Sequence, residues 1–183
     1  MKALIICGSR KGGFTSEICE SFSEGLDLHD VDSEIVFPLD MRIEHCTGCG
    51  ECSKNGKCVF KDDMEIICKA FGEADILVLA SPIHFSGPSS SIKTVIDRFQ
   101  PLWFKKSAHP AFAAALLSGG GKTPNFNNSL SIFKSLAYTA GMKWLGQLEI
   151  PDTDNKETIN IMGQSKDFGL KIGSAVKENR SDR

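Results

Sequence analysis

Three apolar runs, KALIIC at 2–7, DILVLA at 75–80 and AFAAALLS at 111–118, each stop abruptly: at Gly8-Ser9, at Ser81-Pro82 and at Gly119-Gly120-Gly121. Short runs that are apolar throughout, rather than alternating, read as strands buried on both faces, the habit of a parallel sheet covered by helices. The segments between them carry the helical period. Phe14, Ile18, Phe22 and Leu26 fall four apart in 14–27. Met64, Ile67, Cys68 and Phe71 follow a cap at Asp62 or Asp63, and Ile92, Val95, Ile96 and Phe99 follow one at Ser89-Ser90-Ser91. Further helices are expected at 128–142 and at about 165–178, the last through Phe168, Ile172 and Val176. Strands at 33–38, closed by Pro38, and at 143–150 complete the pattern.

Strands alternating with helices imply right-handed βαβ units. The expectation is an α/β, flavodoxin-like, doubly wound five-stranded parallel sheet in the order 2-1-3-4-5, one domain spanning 1–183. A segment without periodicity, about 41–62, is a cysteine-rich insertion after the second strand. In such sheets ligands sit at the carboxyl ends of the strands near the switch in strand order. That rule points to loops 8–16, 81–91 and 118–126, all rich in Gly, Ser, Thr and Pro. The first opens a helix and carries hydroxyls and two cations, so a phosphate there would meet free N–H groups and the positive end of the helix dipole. In the second, Phe85 or His84 either lies beside a flat ring or packs under the loop. In the third, three glycines either admit a ligand to the backbone or make a loose turn.

The net charge of −2, from 21 basic and 23 acidic residues, leaves no basic field for nucleic acid and no polybasic membrane stripe. No apolar run approaches a membrane span, and ALIIC is too short for a signal-peptide core, so the chain reads as cytoplasmic. The charged tail KENRSDR reads as a frayed end.

In a reducing compartment, seven cysteines point to metal binding or burial rather than disulfides. Cys46, Cys49, Cys52 and Cys58 read C-x2-C-x2-C-x5-C within HCTGCGECSKNGKC. Compact C-x2-C-x2-C runs are the usual form of iron–sulfur ligation. Structural zinc sites usually bring two knuckles a dozen or more residues apart, which this run does not. Val59 follows Cys58 where ferredoxin-type runs have proline, and no second set exists, so Cys58 has to serve the same centre. Reduced thiols, an adventitious disulfide and zinc are the rival readings. Lys54 and Lys57 flank the site as surface lysines, and His45 reads as a solvated loop residue. Cys7 and Cys68 read as core residues, and Cys19 carries no signal.

GSRKGGFTS resembles the FMN-phosphate loop of the NADPH-dependent FMN reductase superfamily, and SPIHF…SSSIKTVIDR resembles that superfamily's block after the third strand. CTGCGECSKNGKCVFKDDM is similar to the cysteine segment of the iron–sulfur flavoproteins. The likeness runs over about residues 2–150. It implies that Ser9, Arg10, Thr15 and Ser16 hold the FMN phosphate. Pro82, Ile83, His84, Phe85, Ser118 and Gly119 would flank the ribityl chain and the ring. The four cysteines would ligate a 4Fe–4S cluster near the flavin. Two departures stand out: loop one is a residue shorter than the family form, and His84 replaces the usual aromatic ring. The resemblance also implies a homodimer or homotetramer, and makes a subunit contact of Lys93, Asp97 and Arg98. Trp103 and Phe104 either anchor a partner subunit or close the core.

The implied function is electron exchange between a two-electron flavin and a one-electron cluster or ferredoxin-type partner, with NAD(P)H as a candidate donor. No side chain stands out as catalytic, and His84 alone is placed to influence proton transfer to a flavin. One alternative is a cluster-free NAD(P)H-dependent FMN or quinone reductase with a structural cysteine loop. Another is a non-enzymatic zinc-binding or thiol redox-sensing module.

Overall fold

The computed structural model describes residues 1–155 and 158–181. Its sheet is built from β1 (Lys2–Cys7), β2 (Asp32–Val36), β3 (Ile76–His84), β4 (Gly87–Pro88), β5 (Phe112–Ser118) and β6 (Lys143–Ile150). Five strands run parallel in the order β2-β1-β3-β5-β6, the flavodoxin-like arrangement, and β4 pairs antiparallel with the end of β3. The helices are α1 (Phe14–Asp27), α2 (Glu51–Asn55), α3 (Met64–Glu73), α4 (Ser90–Arg98), α5 (Pro101–Phe104), α6 (Asn127–Ala140) and α7 (Thr158–Ser181).

Each central strand feeds two cores because successive side chains point to opposite faces. Leu4 and Ile6 of β1 meet α3, α4 and α6 through Ile67, Phe71, Val95 and Phe133. Ala3, Ile5 and Cys7 meet α1 and α7 through Ile18, Phe22, Leu26, Ile172 and Val176. The period read in 14–27 is the buried face of α1, with Phe14 half-buried at its start.

Three expectations need correction. The sheet has six strands rather than five, and β3 does not stop at Ala80 but runs through Ser81-Pro82 to His84. The Gly8 N–H bonds to the Ala80 carbonyl, so residues 80 and 82 both turn their polar groups toward β1, which has ended by then. Pro82 therefore forfeits no ladder bond, and the strand continues against β5 as far as Ser118. The last helix is also longer than expected and carries most of the tail into Ser181; Asp182 and Arg183 lie outside the described residues. No helix among the described residues is long and apolar enough to cross a membrane.

Candidate functional site

The three loops singled out in the sequence meet at the carboxyl edge of the sheet, and hydrogen bonds tie them together. Loop one joins loop two at Gly8. Its carbonyl accepts from Ser89 Oγ at 2.6 Å and Ser91 Oγ at 3.1 Å, while Ser81 Oγ accepts the Ser89 N–H at 2.9 Å. A side chain at Gly8 would bring its Cβ within 2.4 Å of Ser89 Oγ, so only glycine permits this approach. Ser89 was expected as a plain helix cap; it stands at the N-cap position of α4, but its hydroxyl serves Gly8 instead. Loop one joins loop three through a buried bond of 2.9 Å between Thr15 Oγ1 and Ser118 Oγ.

Of the expected phosphate residues, Arg10 is exposed and Ser9 half-buried, with Ser9 Oγ donating to the Arg10 carbonyl at 3.1 Å. Thr15 and Ser16 are buried, and Ser16 donates its hydroxyl forward along the helix to Glu20 at 3.1 Å. Gly13 caps α1 without a side-chain bond, and the first N–H to bond within the helix is that of Glu17. The amides of the first turn thus have no partner in the helix, and an anion would find donors there.

Loop two is a two-residue hairpin turn whose central residues, Phe85 and Ser86, hold φ of 49° and 62°. Turns of this kind ordinarily take Asn-Gly, because a bulky residue is strained at positive φ. Phe85 is nonetheless fully exposed, which removes the reading that it packs under the loop. His84 beside it is exposed, and Pro82 and Ile83 are half-buried.

Loop three is neither a loose turn nor open backbone. A Cβ on Gly119 would meet Pro124 at 2.5 Å, and one on Gly120 would meet the Asp154 carboxylate at 2.5 Å. The amides of Asp152 and Thr153 bond to the carbonyls of Gly121 and Gly119. The glycines accommodate segment 150–155, a fourth loop at this edge that the sequence reading overlooked. Its PDTD run directly after a strand was the available signal.

The cysteine insertion leaves the body of the fold through a narrow neck. Asp63 Oδ2 accepts the Arg42 N–H at 2.7 Å, Asp62 Oδ2 accepts that of Glu44 at 2.9 Å, and the Asp63 N–H bonds to the Arg42 carbonyl at 3.0 Å. Arg98, at the end of α4, clamps this neck with both terminal nitrogens. Nη1 donates to Asp62 Oδ2 and to the Glu44 carbonyl, each at 2.6 Å, and Nη2 donates to Asp62 Oδ1 at 2.9 Å. The Arg98 and Asp62 side chains are 1% and 3% exposed. The guanidinium holds the Asp62 carboxyl below the usual carboxylate range despite the opposing effect of burial. The expectation that Arg98 serves a subunit contact with Lys93 and Asp97 therefore needs correcting: Lys93 and Asp97 pair on the half-exposed face at 2.7 Å, but Arg98 points inward. Trp103 and Phe104 are exposed and do not close the core.

Beyond the neck, Gly48, Gly50 and Gly56 adopt positive φ and coil the chain around α2, so that Cys46, Cys49, Cys52 and Cys58 all line one cavity of about 340 Å³. Desolvation pushes the Cys52 thiol up, and the other three cysteines add to that shift through their charge. Among the described residues no three His, Cys, Asp or Glu side chains converge closely enough to hold a single metal ion. A cube that spreads four thiolates over its corners asks for a wider donor set than one ion does, and four thiols around one hollow suit it. Lys54 is an ordinary surface lysine paired with Glu51, and His45 is exposed.

Cys68 is not a core residue. The buried stripe of α3 is Met64, Ile67 and Phe71, and Cys68 falls beside it, lining a second cavity of about 730 Å³ together with Cys58 and Arg98. Cys19, which carried no signal, is fully buried against Cys7 under loop one. The Cys19 thiol, hydrogen-bonded to Cys7, is the main cause that brings Cys7 down to about 7; Ser9 assists and burial opposes. Burial in turn pushes Cys19 well up.

A family model described as NADPH-dependent FMN reductase matches residues 1–150. An iron-sulfur flavoprotein of Archaeoglobus fulgidus is 33% identical over 125 residues, covering 67% of this chain and 57% of that protein. One from Methanosarcina thermophila is 30% identical over 122 residues, covering 66% of this chain and 64% of that protein. The chain thus spans less than two thirds of the length of these relatives. Among solved structures, an NAD(P)H:quinone oxidoreductase from Methanothermobacter marburgensis shares the fold with a TM-score of 0.75 at 17% identity, over 94% of this chain and 98% of that one.

Proposed function

Because this chain belongs to the NADPH-dependent FMN reductase family, we propose that it is an FMN-containing oxidoreductase whose cysteine loop carries a 4Fe–4S cluster. The observation that carries this reading is the joining of loops one, two and three at the carboxyl edge, where the first-turn amides of α1 lack partners within the helix. FMN would supply two-electron or one-electron exchange there, and a cluster would supply one-electron exchange at the cysteines.

The protein's own part is position and electrostatics. The first-turn N–H groups, Ser9 and Arg10 receive a phosphate dianion. Thr15 and Ser16 contribute through their backbone N–H groups, since their hydroxyls already serve Ser118 and Glu20. Pro82, Ile83, Ser118 and Gly119 border the edge where the ribityl chain and ring would lie. Phe85 offers an exposed ring for stacking, and His84 is the one group of loop two that can exchange a proton with a bound ring. Cys46, Cys49, Cys52 and Cys58 surround the hollow that suits a cluster. The donor would be NAD(P)H and the partner a ferredoxin-type protein. One FMN domain with its insertion at about 41–62, in a cytoplasmic homodimer or homotetramer, would use the exposed Trp103 and Phe104 at subunit contacts.

A second reading keeps FMN and drops the cluster, giving an NAD(P)H-dependent flavin or quinone reductase. It is favoured by the family model described as NADPH-dependent FMN reductase, which matches residues 1–150. Anaerobic purification, a visible spectrum, and flavin, iron and sulfide assays separate the two. The proposal expects FMN with about four irons and four sulfides per chain, reduced by NAD(P)H and reoxidised by ferredoxin. FMN without iron, even after anaerobic reconstitution, leaves the second reading standing. A protein that takes up no flavin refutes both.

A further inference from the structure

The cysteine cavity contains one polar group that the neck does not account for. Arg98 has spent both terminal nitrogens on Asp62 and Glu44, yet its Nε is buried and has no hydrogen-bond partner. A buried N–H without a partner is costly, and native structures keep few of them without a use. The guanidinium lies 5.0 Å from the centre of the Phe60 ring, and the Cys58 thiol, which lines the same cavities, interacts with it. Arg98 and Cys58 both line the cavity that holds Cys46, Cys49 and Cys52. A lysine could supply the charge but not this division of labour. Only the planar fork clamps Asp62 with its far end and keeps a further N–H directed elsewhere.

We propose that Arg98 is a positioning residue of the cysteine site: its free Nε–H is kept for the Cys58 sulfur in its metal-bound form, and this donor raises the reduction potential of the centre held there. This rests on the cluster reading above. The added electron makes such a centre more negative, so an N–H donor to a ligand sulfur stabilises the reduced form. Lys54 and Lys57 are nearer in sequence, but they are exposed to water, whereas the Arg98 Nε is buried.

The test is an EPR-monitored redox titration of anaerobically reconstituted full-length protein, with iron and sulfide counted for every variant. Asp62→Asn with Arg98→Met removes the Nε–H donor together with its ion-pair partner, so the net charge is unchanged, while the single oxygen of residue 62 still accepts one of the Glu44 and Met64 N–H groups. With iron retained, its reduced-to-oxidised ratio at fixed potential should fall at least about tenfold, a shift of about 59 mV for one electron. Arg98→Lys keeps the cation and serves as the second variant should the first lose iron. It should abolish the coupling of an exchangeable proton to the reduced centre, read by ENDOR in H2O against D2O. Lys57→Gln should leave both signals in place. A retained cluster with unchanged potential and unchanged proton coupling in the Arg98 variants overturns the proposal alone. Wild-type protein that assembles no cluster overturns it together with the cluster reading.

Discussion

Removing Asp62 alone should unseat the neck of the cysteine insertion. Its carboxylate binds Arg98 through both oxygens, and the two side chains are 3% and 1% exposed. It also accepts the N–H groups of Glu44 and Met64, so one side chain holds the entry segment, the exit helix and the end of α4. In Asp62→Ala the guanidinium is left buried without its counter-charge, and breaking such a pair from one side costs about 3–5 kcal/mol. For a chain of this size each kcal/mol lowers Tm by roughly 2–4 °C, which puts the expected drop at roughly 6–20 °C. Adding Arg98→Met should restore much of the loss, because the cost of desolvating the arginine disappears along with the lost attraction. The assay is thermal and urea unfolding of the cofactor-free protein at neutral pH, followed by circular dichroism for the wild type, both single variants and the double. If Asp62→Ala loses less than about 1 kcal/mol, the range of an exposed pair, the clamp is not what holds the neck. A double variant no more stable than the weaker single would refute the charge-pair argument in the same way.

Three further outcomes are expected. Gly8→Ala drives a Cβ to 2.4 Å from Ser89 Oγ and 3.0 Å from Ile92 Cβ, so it should cost about 1–3 kcal/mol by overpacking and weaken FMN retention; unchanged flavin release would separate this junction from the flavin site. Phe85→Asn with Ser86→Gly gives the hairpin its preferred turn residues and should raise stability by about 1 kcal/mol while lowering flavin affinity, so a variant with unchanged or tighter flavin binding removes Phe85 from the site. Asp62 titrates below its ordinary value of 3.8, so the unfolded chain takes up this proton first: the stability that the clamp supplies is complete above 3.8 and is lost as pH falls through that value toward the lower folded one. Urea midpoints measured down that range should fall more steeply in the wild type than in Asp62→Ala, and parallel curves would contradict the assignment.

The strands and their loops were legible because burial on both faces leaves unbroken apolar runs, and because such runs must end in residues that can turn. The clustering of Gly, Ser and Pro at three strand ends then pointed to one edge of the sheet, and the hydrogen bonds through Gly8 and Thr15 join those loops there. What escaped is tertiary. Nothing in the spacing of α3 separates Cys68 from Ile67, since a one-residue step turns a side chain 100° around the helix and only the packing partner decides which is covered. Arg98 looked like a surface arginine because its counter-charge lies 36 residues away, beyond any local pattern. Ser89 read as a cap and Gly119-Gly120 as open backbone, because residue type alone does not reveal whether a neighbour is ligand, solvent or protein. Here the neighbours are Gly8, Pro124 and Asp154.

Helix α4 gives the two sites a common frame. At its start Ser89 and Ser91 hold the carbonyl of Gly8, and eight residues on from Ser90 the guanidinium of Arg98 holds the neck, so the separation along the axis is roughly 12 Å at 1.5 Å per residue. Ile92 and Val95 between them are fully buried, and the Phe71 and Phe99 rings lie 4.7 Å apart, so α4 is gripped along its length and against α3. A close-packed element of this kind shifts as a unit rather than bending. The neck and the first carbonyl of loop one are thus held by opposite ends of one helix. The point of insertion suits this arrangement. β2 is an edge strand, so an excursion after it interrupts no strand pairing, and the chain must then enter α3, which packs on the same face of the sheet as α4. The insertion is thereby anchored to the helix that also sets the geometry of the loop edge.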